Sequence, residues 1–396
     1  MNSPLRLCAL TALLVSNAAA QTADLPTLVR TGDVLGDGAT IERIVDIAVA
    51  EAGDWMALVE TDQGGFEDDG ALLHNGVVVV REGTTLPSGE TIGQVLGLDL
   101  ASDGAFAWTH RVSGGTSSTD EVLYVDGAEV LRTGATISGP GIPAGALVSE
   151  LRDLRYEGGR LLLVGALSAS SPDFRVLLEV DLTGAAPAYR LLARVADTPI
   201  ALSGPISIIL SQFDLAEDGS FAAVIGYTAP GGALEKAILT DLGWRAIQGT
   251  TGPIAGTTWR HSSRVEVAAV PGGGVLVSSD LETSTGVTPG VVFQGGSVLA
   301  YEGDPFGPLA GETTYFFGSA PVDVGAGGEL AWIAPVAVFD DVLVLDGEAV
   351  LRETATTVEG SAIGNSLTTS SGRSLGVARG GRQASLLMPL ASGGEA

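Results

Sequence analysis

The sequence predicts an all-β fold: a seven-bladed β-propeller of four-stranded antiparallel blades, closed by the N-terminal strand completing the last blade. Three observations predict it. Apolar and polar residues alternate over runs of five to seven, Asp-Gly or Asn-Gly pairs separate those runs, and the resulting unit recurs about every 50 residues.

The unit is clearest over 98–134, where LDLASDG passes into AFAWTHR, EVLYVDG and AEVLRTG. Gly after Asp or Asn at 75–76, 103–104, 126–127, 218–219 and 346–347 accepts the positive φ of a two-residue hairpin. The connections therefore read as hairpins, not crossovers. With the Arg of VLR as a marker, equivalent positions are Arg30, Arg81, Arg132, Arg194, Gln248, Tyr301 and Arg352, spaced by 51, 51, 62, 54, 53 and 51 residues. That period suits a four-stranded blade. The repeat region opens on a lone fourth strand, PTLVRTGD, and finishes on a third strand, RQASLLMPL, with nothing after it. A ring matches the two ends and removes open edges. An open solenoid would need capping units.

A single repeat ring accounts for residues 21–396 as one domain, larger than an ordinary single core supports. Residues 1–20, with one Arg, an apolar stretch and small residues at Ala18 and Ala20, read as a secretory signal cleaved before Gln21. Cys8 lies inside it, so the mature chain has no cysteine and no disulfide. No later apolar run reaches the length of a membrane-spanning helix. The expected product is secreted, periplasmic or at the cell surface, and monomeric.

Lys and Arg number 20 against 47 Asp and Glu, a net charge of −27, which loss of Arg6 takes to −28. Such a surface repels phosphates and excludes nucleic acid as a partner. It attracts cations, and it also keeps a Gly-rich β-protein soluble.

An acid stands near the start of the first strand of six units: Asp46, Asp99, Asp153, Asp214, Glu266 and Asp323, with Asn365 or Ser366 in the seventh. First strands line the channel of a propeller, so these acids read as a carboxylate ring, and hydrated Ca²⁺ suits an all-oxygen ring. The competing reading is that each accepts backbone N–H bonds in its own turn or from the next blade. His74, His110 and His261 show no zinc spacing, no nucleophile motif is present, and FEDDG at 66–70 reads as a solvated turn. Trp108 and Trp332 occupy equivalent places and read as packing between sheets. The connectors from each fourth strand to the next first strand should share one face. Trp259, Arg260, His261, Phe306, Tyr315 and Phe316 stand off the repeat there and form the candidate recognition face, although Tyr315 and Phe316 equally suit the start of a buried strand.

The VLRTG that closes one sheet, followed by the hairpin that opens the next, resembles secreted bacterial propeller proteins of unknown function, over nearly all of 24–390. The resemblance implies a fold and export. ASDGAFAW lacks the spacer of a sialidase Asp-box, and WD, kelch and NHL signatures are absent. The expected function is a binding or interaction scaffold for an extracellular protein or glycan, non-enzymatic and with no cofactor beyond Ca²⁺. One alternative is a polysaccharide-directed hydrolase or lyase using Asp99, Asp153 and Asp214. A structural cell-surface component is the other.

Overall fold

The computed structural model describes residues 6–13, 24–25, 27–50, 53–63, 69–114, 120–169, 174–261, 265–306, 312–314, 321–325, 328–337, 340–358 in part, 361–362, 375–377 and 383–390. All regular elements among them are strands. Blade 1 consists of Ile41–Val49, Trp55–Thr61, Gly70–His74 and Val77–Arg81; blade 2 of Ile92–Leu100, Phe106–Val112, Glu121–Val125 and Ala128–Arg132. Blade 3 runs through Leu147–Glu157, Arg160–Ser168, Phe174–Asp181 and Ala188–Arg194, and blade 4 through Ile206–Leu215, Phe221–Thr228, Leu234–Thr240 and Gly243–Arg245. Blade 5 splits its first strand into Thr257–Arg260 and Glu266–Val270, both paired with Gly274–Thr283, and continues with Gly290–Gln294 and Ser297–Tyr301. Blade 6 contains Val322–Val324, Leu330–Ala337, Asp340–Leu345 and Glu348–Arg352.

The propeller therefore has six blades, not the seven that the repeat count predicts. The expected closure would pair Thr27–Arg30 directly with the last strand. Instead Arg6–Leu13 lies between Thr27–Arg30 and Gln383–Leu390, in a terminal sheet that ends with Leu375–Val377. The reason is strand length. Arg6–Leu13 offers eight consecutive cross-strand partners to Gln383–Leu390, whereas Thr27–Arg30 is four residues long. Among the described residues the seventh unit contributes Leu375–Val377 and Gln383–Leu390 to that sheet.

Both faces of each middle strand are buried. Leu161 and Leu163 pack with Leu123 and Leu151 between blades 2 and 3, while Leu162 and Val164 pack with Phe213 and Ile225 between blades 3 and 4. Trp108 fills the space between blades 1 and 2 and Trp332 that between blades 5 and 6, at 3% and 4% exposure. Outer turns at 75–76, 126–127 and 346–347 have positive φ at both positions, as the two-residue hairpin requires. Inner turns at 103–104 and 218–219 differ: only the Gly is positive, and the turn is one residue wider, closed by Ala101 to Ala105 and Ala216 to Ser220. Cross-strand bonding also shifts one marker. Glu82, Thr133, Gln248 and Glu302 all donate their N–H to the start of the third strand, so Ile247, not Gln248, stands in the place of Arg81.

Backbone bulges leave N–H groups of the first strands outside the ladder, and carboxylates from the preceding blade accept them. The register slips on either side of Val95, whose N–H donates to Glu82 Oε1 at 2.6 Å. Glu82 Oε2 accepts the Gly70 N–H at 2.9 Å. Leu151, at the matching bulge of blade 3, donates to Glu121 Oε2 at 2.7 Å. Glu157 reaches back from blade 3 to the N–H and hydroxyl of Ser102. A buried donor without a partner costs about 1–3 kcal/mol, so these clasps act above the strength of surface ion pairs. Glu82→Ala orphans two buried N–H groups and should lower unfolding free energy by about 3 kcal/mol in denaturant titration. A loss under about 1 kcal/mol would show that water replaces the clasp.

Candidate functional site

The six first-strand acids are not one ring. Counted back from the residues that close each first turn (Ala101, Ala216 and Gly325), Asp99, Asp214 and Asp323 stand two positions earlier. Asp46, Asp153 and Glu266 stand four positions before Ala50, Glu157 and Val270. Blades thus alternate between two levels, and at two residues along a strand the levels are separated by about 6.6 Å on the same side.

Asp99 is 1% exposed, and its Oδ2 accepts the Tyr156 N–H of blade 3 at 2.6 Å. Asp214 does the same for Ala269 of blade 5 at 2.9 Å. Asp46 and Asp323 accept the N–H of the next residue, both at 2.9 Å, and Asp153 accepts the Ser211 hydroxyl at 2.7 Å. Glu266 is half-buried. In blade 3, Arg155 occupies the level of Asp99, its guanidinium 5.2 Å from the Phe213 ring. Among the described residues no group of three or more His, Cys, Asp or Glu is arranged to hold a metal ion. Asn365 and Ser366, and residues 66–68 of FEDDG, lie outside the described residues.

Most of the described candidate recognition residues are interior. Trp259 is 5% exposed, stacked on His261 with ring centres 5.6 Å apart and edge-on to Phe293. His261 hydrogen-bonds through Nδ1 to Ser279 Oγ at 2.7 Å and through Nε2 to the Ala246 carbonyl. Phe306 is 3% exposed. Arg260 faces solvent, 3.5 Å from Glu282. Tyr315 and Phe316 lie outside the described residues.

The connectors are themselves short hairpins. Bridges link Val34 with Thr40, Thr85 with Thr91, Thr136 with Leu147, Thr251 with Thr258 and Pro305 with Thr313. In three blades the VLR arginine clips the incoming connector to its own blade: Arg81 to Asp37 at 2.5 Å, Arg132 to Glu90 at 2.9 Å and Arg352 to Glu312 at 3.0 Å. Hydrogen bonds from Arg132 hold the Glu90 carboxyl below the ordinary range. These clips, and the clasps of Glu82 and Glu121, are absent from the sequence reading. The recurrence of an acid or its stand-in after the marker, at Glu82, Thr133, Gln248 and Glu302, is the signal that could have found them.

No family model and no curated protein matches the chain. Solved structures do. The chain is similar to the β-propeller domain of Cps50 (Swd1) from Myceliophteria thermophila at 10% identity, covering 88% of this chain and 99% of that one with a TM-score of 0.35. A protein of unknown function from Dyadobacter fermentans matches at 11% identity over 91% and 97%, with a TM-score of 0.33. An α-L-arabinanase of Penicillium chrysogenum complexed with arabinobiose matches at 14% over 77% and 96%, with a TM-score of 0.31. The likeness is one of fold alone.

Two predictions follow from the buried groups. Asp99→Ala should cost about 1–3 kcal/mol in denaturant titration by orphaning the Tyr156 N–H, and a loss under about 0.5 kcal/mol would show that water replaces the carboxylate. His110 is fully buried against Trp108 and Tyr124, with no hydrogen-bond partner on either ring nitrogen among the described residues. Burial pushes it and His261 down to about 4 from 6.5. The unfolded chain therefore binds these protons first, and stability that is complete above pH ~6.5 is lost as pH falls toward 4. Melting temperature measured from pH 7.5 to 4.5 should fall less steeply in His110→Phe than in the parent, and parallel curves would remove the assignment.

Proposed function

We propose that the chain is a non-enzymatic, extracytoplasmic binding scaffold whose connector hairpins present the contact residues for an extracellular protein or glycan. The observation that carries this reading is the bracing of the connectors. Paired strands and the arginine clips at Asp37, Glu90 and Glu312 hold backbone and side chains in place before any ligand arrives, which lowers the entropic cost of binding. Val34, 68% exposed on the stem of the first connector hairpin, and Arg260 are contact groups of this face.

The burial of Asp99 and Asp214 supports binding rather than polysaccharide hydrolysis or cleavage. Both already accept backbone N–H groups of the neighbouring blade, and an acid–base pair must meet substrate beside solvent. The export signal expected at residues 1–20 contains Arg6–Leu13, so in this reading cleavage before Gln21 takes that partner from Gln383–Leu390; no described helix is long and apolar enough to cross a membrane.

A screen of the purified chain against immobilised glycans and extracellular proteins tests the reading, with Val34→Asp compared with Leu242→Asp on the opposite face. Capture should persist in Leu242→Asp and fall at least about tenfold in Val34→Asp, the effect of desolvating an unpaired charge at a contact. Capture of nothing, or loss only in Leu242→Asp, overturns it.

A further inference from the structure

The connector end of the propeller is divided by charge. Antiparallel pairing brings the turns between second and third strands to the same end as the connectors, since Ile206 pairs with Tyr227 and Thr257 with Thr283. Over blades 3, 4 and 5 the fully described segments gathered there are 133–147, 195–206, 228–234, 246–259 and 283–290; the turn of blade 3 at 170–173 lies outside the described residues. Their 56 residues include one charged side chain, Asp197, in a chain that is 17% charged. Even that one is neutralised, 2.6 Å from Arg194, and at the border Arg260 meets Glu282. The connectors into blades 1, 2 and 6 carry Asp37, Glu90 and Glu312 instead.

Aliphatic side chains stand out of this uncharged sector: Leu147 at 40% exposure, Ile200 at 106%, Leu234 at 58% and Val287 at 61%. Seven prolines in the same segments stiffen it. Depletion of charge together with exposed aliphatics marks the centre of a protein interface, and a pre-stiffened surface loses little entropy on docking.

We propose that the connector sector over blades 3–5 is the contact face of a homodimer, in which two copies meet about a two-fold axis. The charge selects the occupant. Two chains of net charge −27 repel wherever acids face each other, and this sector lets them approach without that cost. A patch without charge is its own electrostatic complement, as an isologous contact requires. Of its 56 residues 29 are exposed, which is comparable with the 20–30 per side of a standard interface. An anionic membrane is repelled by the chain as a whole. The proposal departs from the monomer expected of the sequence, and it leaves Val34 and the clipped connectors free for the ligand of the scaffold reading.

Sedimentation velocity of the full chain from 1 to 100 µM tests it, in 0.15 and 0.5 M NaCl. The expected result is a dimer that is unchanged or tighter at high salt, because screening removes long-range repulsion and the contact contains no ion pair across it. Ile200→Asp with Leu234→Asp should weaken association at least about a hundredfold with an unchanged melting temperature, since each places an unpaired charge in the contact. Val79→Asp on the exposed outer strand of blade 1 should still dimerise. A monomer at 100 µM in both salts overturns the proposal, as does a dimer lost in Val79→Asp but kept in the double variant. Flotation of a monomeric chain with phosphatidylcholine vesicles would assign the sector to lipid and also overturn it.

Discussion

The structure depends on buried carboxylates that accept backbone N–H groups from the neighbouring blade. First strands of a propeller must bend toward the axis, and the bulges that bend them free N–H groups in a place water does not reach. Glu82 at Val95 and Glu121 at Leu151 answer such groups, and Asp99 at Tyr156 and Asp214 at Ala269 answer N–H groups in regularly registered stretches of the first strands. Burial raises the Glu121 carboxyl, the Leu151 N–H and Arg111 opposing it, which shows how strongly that acid is removed from water. Part of the large acid excess is thus structural.

The remaining charge is distributed unevenly, and that distribution bears on function. On the face away from the connectors, Asp103, Asp126, Asp218 and Asp346 stabilise turns by accepting N–H groups from Ala105, Phe106, Ser220 and Leu330. At the connector end, acids in three blades clip hairpins, and the described connector-end segments of three further blades carry one charged residue, Asp197, paired with Arg194.

Strand type and hairpin order are local properties, and they were legible. Alternation in AFAWTHR and EVLYVDG needs only neighbouring residues to be read. The blade count was not, because it depends on which strand reaches Gln383–Leu390 first, a competition between Arg6–Leu13 and Thr27–Arg30 that no periodicity records. The candidate site was legible only in part. Asp99 and Glu266 look alike as acids near a strand start, yet two residues of offset put one into a clasp and the other at a second level. Trp259 and His261 look like exposed connector residues because the blade 5 first strand begins earlier than its motif suggests.

By itself the sequence determined that this chain is a ring of antiparallel hairpin sheets with a strongly acidic balance, because both follow from residue order over a few positions and from composition. Only the tertiary structure decided that there are six blades, that the acids act across blade boundaries, and that five charge-poor segments, separated along the chain by other strands, gather at one end of their blades. The physical reason is that contact between blades joins residues about 55 positions apart, as in Asp99 with Tyr156 and Asp214 with Ala269, and such pairs are set by packing rather than by local pattern.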